Sequence, residues 1–277
     1  MIMALSALKT FLQNKCPGLF ALLADYRDQM APRYAEPELA LVPQLAEPGE
    51  ASLDVGANTG MYSYWLLRSS AHVTAFEPNP KLADLLRRRF RRRIGKGHIT
   101  VQAAAVSRQA GETELHIQEG FEALAAVSAE AQGNAAARTG TIVKVPMVTL
   151  DSFQDRTVGF IKIDVEGHEV AAVEGGLALI ARDHPTLLIE AEERHHAGSL
   201  EALRGHLEPL GYRGFYLHDG GLRPVEGFDT ARLQNRSALN EAGTHRLPGQ
   251  VYINNFIFIA RPALIQRLGL TAQAPVT

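Results

Sequence analysis

At 277 residues, 46% of them hydrophobic, the chain can bury one good-sized core or two small ones. A net charge of −2 and a pI of about 6.6 argue against a general attraction to nucleic acid. The single cysteine, Cys16, rules out an intrachain disulfide or a cysteine metal cluster and fits a reducing compartment, the cytoplasm. No apolar run reaches the roughly 18 residues that span a bilayer, so stable membrane insertion is not expected.

Residues 1 to about 48 read as helical. Ile2, Leu5, Leu8 and Leu12 recur at helical spacing, followed by an apolar cluster at Leu19, Phe20, Leu22 and Leu23. The opening MIMALSALKTFLQNK has no basic start and no small-residue cleavage site, so it reads as an amphipathic helix and not a signal peptide. Pro32, Pro37, Pro43 and Pro48 punctuate the approach to the first strand, a segment placed to pass over a ligand site.

The stretch Ser52 to Gly60, SLDVGANTG, reads as a short apolar strand that breaks into a glycine-bearing turn and leads into a helix containing Tyr62, Trp65 and Leu66. Such a strand-turn-helix is a nucleotide-binding arrangement: glycine permits a sharp turn and close approach of a ligand, and Asn58 or Thr59 suits the helix cap. A dinucleotide fingerprint would read GxGxxG and hold a pyrophosphate on helix N–H groups. This turn reads GxxxG and carries Asp54 just before it. A carboxylate there repels pyrophosphate and attracts the ammonium and sulfonium of S-adenosylmethionine (SAM), by roughly 1 to 4 kcal/mol in wet surroundings.

His72 to Glu77 (HVTAFE) is a second strand ending in an acid. Glu77 lies about 20 residues beyond Gly56, where an α/β nucleotide fold places the carboxylate that binds the ribose hydroxyls. The helix from about Lys81 puts Leu82, Leu85, Leu86, Phe90 and Ile94 on one face, while Arg87, Arg88, Arg89, Arg91, Arg92 and Arg93 crowd the others. The simplest reading is a solvated outer face, since no aromatic residues interleave for base stacking; an anionic lipid-linked or glycan substrate is the functional alternative. A third strand, Ile99 to Val106, ends in small residues, Ala105 among them, against which an adenine ring would lie.

Gly111 to Gln118 and Thr141 to Val148 read as strands of a hairpin appended to the main sheet, with an Ala- and Gly-rich excursion over Phe121 to Thr141 between them. Gly159 to Asp164 (GFIKID) is a strand ending in an acid, followed by Val165, Glu166, Gly167, His168 and Glu169 and a helix from about Val170 to Ala181. Pro185 to Glu190 is another, with Glu192, Glu193, His195 and His196 behind it. Ligands of an open parallel sheet bind beyond the carboxyl ends of its strands, so Asp54, Glu77, Asp164 and Glu190 should ring one crevice. A helix (Ser199 to Leu210), a strand (Tyr212 to Leu217), a polar loop over about 218–250 and a last strand (Val251 to Ala260) complete the chain. A loop that long suggests a substrate lid bearing Arg223, Asn235, Arg236, His245 and Arg246.

DVGANTGMYS (Asp54 to Ser63), FEPNP (Phe76 to Pro80), VTLDSF (Val148 to Phe153) and IKIDVEGHE (Ile161 to Glu169) together resemble the FkbM family of SAM-dependent methyltransferases, over roughly Gly49 to Glu190; the closing strand with Asn254 and Asn255 also fits. The resemblance implies an α/β, Rossmann-like class I methyltransferase fold. Its sheet would be mostly parallel and seven-stranded with an antiparallel last strand. Read from the residues, the domain spans 49–277 with the hairpin insert (about 112–148) and the candidate lid loop, behind an N-terminal helical extension of 1–48; residues before Gly49 and the loop after His218 match nothing specific in the family. The resemblance also implies O-methylation of hydroxyls on sugars of glycans or natural products, with SAM held by Asp54, Gly56, Ala57, Asn58, Gly60, Tyr62, Ser63, Glu77, Pro78, Ala105 and Asp164. Asp164, Glu166 and His168 would border the transfer site.

Other readings fit less well. No tyrosine has a lysine four places on, as a short-chain reductase needs; no Asn/Asp-Pro-Pro-aromatic motif stands where a base amino-methyltransferase carries one; and Cys16 lies outside the core, away from a base C5-methylation nucleophile. A polyketide hydroxyl as acceptor and a non-catalytic SAM-binding protein stay open. For a sugar hydroxyl, His168 is the leading proton acceptor with Glu166 or Glu169 as its orienting partner, and His195 and His196 read as solvated. A divalent cation on Asp164 with Glu190 or Glu192 is a second route.

Overall fold

The computed structural model describes residues 16–33, 36–118, 125–127, 140–241, 243 and 246–270. The helix expected around Ile2 to Leu12, most of the Ala- and Gly-rich excursion, and His245 of the expected lid lie outside them.

Helix α1 (Pro17–Met30) and α2 (Val42–Leu45) precede strand β1 (Ala51–Val55). Then follow α3 (Met61–Leu66), β2 (His72–Phe76), α4 (Pro80–Arg89), α5 (Arg91–Ile94) and β3 (Ile99–Gln102). Next come β4 (Ala105–Val106), β5 (Gly111–Gln118), β6 (Ala125–Val127), β7 (Gly140–Val148) and β8 (Val158–Ile163). The remainder comprises α6 (Glu169–Glu174), α7 (Leu177–Asp183), β9 (Thr186–Glu190), α8 (Ser199–Leu207), β10 (Arg213–His218), β11 (Gly221–Pro224), α9 (Thr230–Leu233), β12 (Asn255–Ile259) and α10 (Pro262–Arg267).

The main sheet runs β11-β10-β12-β9-β8-β1-β2-β3. From β3 to β9 every pairing is parallel, and β12 enters antiparallel between β9 and β10. This is the expected class I methyltransferase order, extended at one edge by the hairpin strand β11. The strands β1, β2, β8 and β12 are buried along their whole length, as their near-continuous apolar runs require of a sheet covered on both faces.

Three sequence expectations need correction. The third strand does not run from Ile99 to Val106: it stops at Gln102, and Ala105–Val106 pairs with Met147–Val148 of β7. Consequently the hairpin is not appended to the main sheet but forms its own, ordered β4-β7-β5-β6, around Leu115, Ile117 and Val145. The helix expected over Val170 to Ala181 breaks into α6 and α7 at Gly175–Gly176. There the insert presses so close that a Cβ on Gly175 would sit 2.0 Å from the Ser107 carbonyl oxygen. The 218–250 segment is also partly folded, containing β11, α9 and a 3₁₀ turn at Arg236–Ala238.

The N-terminal helix is tied down by charge. Phe20 and Ala24 of α1 pack on Leu82 and Leu85 of α4, and one turn on, the Arg89 guanidinium meets Asp28 at 2.7 Å and Asp25 at 2.8 Å. Arg89 and Asp28 are both buried, so Arg89 is no part of a solvated arginine face. Arg89 also donates to the carbonyl of Thr59 in the glycine turn, and the Trp65 indole donates to the Asp28 carbonyl. Removing one partner of such a buried pair strands the other charge. Replacing Asp25 and Asp28 together by Ala should therefore lower the free energy of urea unfolding by about 3 to 5 kcal/mol, whereas an exposed pair such as Arg204–Glu201 should yield under about 1 kcal/mol when cut.

Candidate active site

The glycine turn after β1 is defined by what lies behind it. Gly56 has φ +80°, and a Cβ there would sit 1.8 Å from the Asp164 carbonyl oxygen, so the turn leans directly on the chain leaving β8. Asp164 N donates to the Val55 carbonyl, and the amides of Gly56 and Ala57 both donate to Phe76 at the end of β2. Three neighbouring strand ends are thereby stitched together.

Asn58, left-handed at φ +51°, points its amide at Glu77 Oε2 (2.7 Å), and Asn79 N donates to Glu77 Oε1 (2.9 Å). Glu77 is thus fixed at the lip of the turn, with Pro78 half-buried beside it. Asp54 lies beneath the turn and accepts from Ser63 Oγ at 2.5 Å. Tyr62 is buried with its ring 4.8 Å from the Lys162 ammonium. Ser63 and Tyr62 therefore support the crevice from behind. Ala105 is not at the end of the third strand: its side chain packs in the core of the second sheet.

The acids expected to converge do act on one another. Burial raises Asp54 to about 6 and Glu77 to about 7, with the charge of Asp164 adding to both. Burial also raises Glu190 well above its ordinary value, again with Asp164. Opposing them is Lys162 of β8, fully buried, donating to Asn255 Oδ1 at 3.0 Å. Burial pulls its ammonium down, but Asp164, Glu190, Glu36 and Glu38 outweigh that and hold it above its usual value. Glu36 and Glu38 come from the proline-punctuated N-terminal segment, which does pass close to the site. Sequence reading missed Lys162; the signal was a lysine between two isoleucines in an otherwise buried strand.

Beyond β8 the turn Val165–Gly167 carries Glu166 at φ +51°. A narrow cavity with no room for a water-sized sphere is lined by Asp164, Glu166, Glu169, Glu190, Glu192 and His195. Burial raises Glu166 to about 8, with Asp164 and Glu192 adding to it, and raises Glu169 to about 7. His195 Nε2 lies 3.2 Å from Glu166 Oε2 without the alignment of a hydrogen bond, and burial and Arg194 lower its pKa. His195 is thus not a solvated loop residue. His168 caps α6 from a buried position, its Nε2 3.0 Å from Ser107 Oγ, and is not among the cavity's lining residues.

Glu192 differs from its neighbours. Burial favours its neutral form, but two hydrogen bonds from Arg194 and one from the Tyr252 hydroxyl hold it below the ordinary range. Asn254 donates to Glu190 at 2.7 Å, and Gln234 of the expected lid bonds to Glu193 N and to the carbonyls of Ala191 and Ile253. Among the described residues no set of three or more His, Cys, Asp or Glu side chains converges as metal ligands.

A glycine turn open to close approach, a fixed carboxylate at its lip, and buried acids in excess of one buried lysine together fit a cationic nucleoside such as SAM. Two outcomes follow. Gly56→Ala, which must move the Asp164 carbonyl, should abolish SAM binding by calorimetry. Because the four acids at about 6, 7, 7 and 8 bind protons more tightly folded than unfolded, their effect on stability opposes that of a salt-bridged acid. The unliganded protein should lose stability as pH rises from about 5 to 8, and SAM should raise Tm more at the upper end, where those acids are ionised.

The Methyltransferase FkbM domain profile matches residues 54–213, from Asp54 under the glycine turn to the start of β10. No curated protein matches the sequence. Among solved structures, the chain is similar to the FkbM methyltransferase of Methylobacillus flagellatus (17% identity, 93% of this chain and 58% of that one, TM-score 0.49). It is also similar to cofactor-bound Rv0187 from MTB (15% identity, 87% and 89% coverage, TM-score 0.45) and to a Streptococcus mutans chain solved with SAH (9% identity, 82% and 98% coverage, TM-score 0.43). The chain belongs to the FkbM methyltransferase family.

Proposed function

We propose that the protein transfers the methyl group of SAM to a hydroxyl of a sugar, in a glycan or a glycosylated natural product. The observation that carries this reading is the Glu166–His195 pair in the cavity beyond Asp164. SAM supplies a methyl carbon already activated by its sulfonium. What the chain must add is alignment, worth roughly 7 to 11 kcal/mol, and an acceptor for the hydroxyl proton, worth about 10²- to 10⁴-fold.

Asp164, against the glycine turn on one side and the cavity on the other, joins the donor and acceptor halves of the site. Burial and Arg194 keep the His195 imidazole neutral near pH 7, with a lone pair to accept a proton. Glu166 stabilises the imidazolium once it ionises, which the positive charge of bound donor favours. His168 becomes a positioning residue, fixing the turn through Ser107. The surrounding Glu190, Glu192, Arg194, Tyr252 and Asn254 make the rim polar, which suits an acceptor bearing several hydroxyls better than an apolar polyketide face.

Incubation with SAM and a panel of nucleotide sugars and oligosaccharides should give an O-methyl product, whereas methyl transfer only to amines or only to polyketide hydroxyls would refute the assignment. With a working acceptor, His195→Ala should lower kcat by about 10²- to 10⁴-fold while SAM affinity holds. kcat/KM should rise with pH through about 8, and Glu166→Gln should remove that limb. His168→Ala should lower Tm and leave the shape of the pH profile intact.

A further inference from the structure

Helix α1 presents Leu19, Leu22, Leu23 and Tyr26 to solvent at i, i+3, i+4 and i+7, and Leu22 and Tyr26 are about two-thirds exposed, at 66% and 67%. This is the stripe away from Phe20 and Ala24, which pack on α4. The contacts of Phe20 and Ala24 with Leu82 and Leu85, and of Asp25 and Asp28 with Arg89, set α1 and α4 side by side and parallel. The arginines that end α4 and form α5 thus adjoin the C-terminal half of the apolar stripe. Arg88, Arg91, Arg92 and Arg93 are exposed, and none has an ion-pair partner among the described residues. Elsewhere arginines are matched locally, Arg204 by Glu201 and Glu208 and Arg182 by Asp183.

We propose that this face docks the protein peripherally on an anionic lipid bilayer, with the α1 stripe at the headgroup–acyl boundary and the four arginines on lipid phosphates. An apolar stripe beside basic residues is what such a surface selects, and among the described residues no helix is long and apolar enough to span one. A second copy of the chain suits the face poorly, since a two-fold contact would bring arginines against arginines. Nucleic acid would leave the leucines wet and finds no run of stacking aromatics. Docking here also places the membrane beside the cofactor turn, because Arg27 of α1 donates to Thr59 Oγ1.

The full-length protein is to be sedimented with phosphatidylcholine vesicles, with and without phosphatidylglycerol. Binding should require the anionic lipid and fall with salt. Removing arginines in the R88S/R91S/R92S/R93S variant should weaken partitioning about fivefold for each. L22S/Y26S should weaken it with the charge intact, and both variants should retain wild-type Tm and SAM affinity. Equal binding to neutral vesicles, no vesicle binding, a wild-type dimer that the variants dissociate, or retention of an oligonucleotide in place of vesicles would each overturn the proposal. SAM binding, measured on the same samples, reports separately on the methyltransferase reading.

Discussion

The site is organised around an imbalance of buried charge. Lys162 is the cation toward which Asp164, Glu190, Glu36 and Glu38 are drawn, and its attachment to Asn255 anchors it between β8 and β12. One ammonium cannot neutralise all the carboxylates nearby, so burial leaves Asp54, Glu77, Glu166 and Glu169 with pKa values raised toward neutrality. The protein gives up stability to keep this crevice electron-rich, which is the reverse of an ordinary paired acid and the arrangement a cationic cofactor needs.

Around that centre, rigidity comes from links between segments far apart in the chain. The Asp28–Arg89 pair fastens α1 to α4, and through the Thr59 carbonyl and Trp65 it reaches the glycine turn and α3. The N-terminal segment thus contributes twice: α1 braces the turn from outside, and Glu36 and Glu38 add charge near Lys162. On the opposite flank Gln234 bonds the folded 218–250 segment to the loop after β9, next to His195.

Much of this was legible in the sequence because it depends on local pattern. The strands of the parallel sheet are apolar runs closed by acids, and SLDVGANTG with the acid of FEPNP announces a glycine turn with a carboxylate at its lip. What escaped were long-range choices. Nothing around Ala105 announces that the chain leaves one sheet for another, since small apolar residues suit either. The break at Gly175–Gly176 has its cause at Ser107, far away in the chain. His168 caps a helix and turns to Ser107, whereas the loop after β9 brings His195 to Glu166, a juxtaposition that no local pattern announces. The role of Lys162 depends on Glu36, Glu38 and Glu190, which are distant in the chain.

The separateness of the second sheet bears on how this scaffold can diversify. Among the described residues its hydrogen-bond ladder is closed within β4, β5, β6 and β7, and no rung joins it to the strands that carry the acids. Lengthening or shortening it disturbs no register in the larger sheet, and each doubling of a loop costs only about 0.6 kcal/mol of closure entropy. Insertions and deletions in a lineage can thus accumulate at this module while the cofactor crevice stays under strict geometric selection.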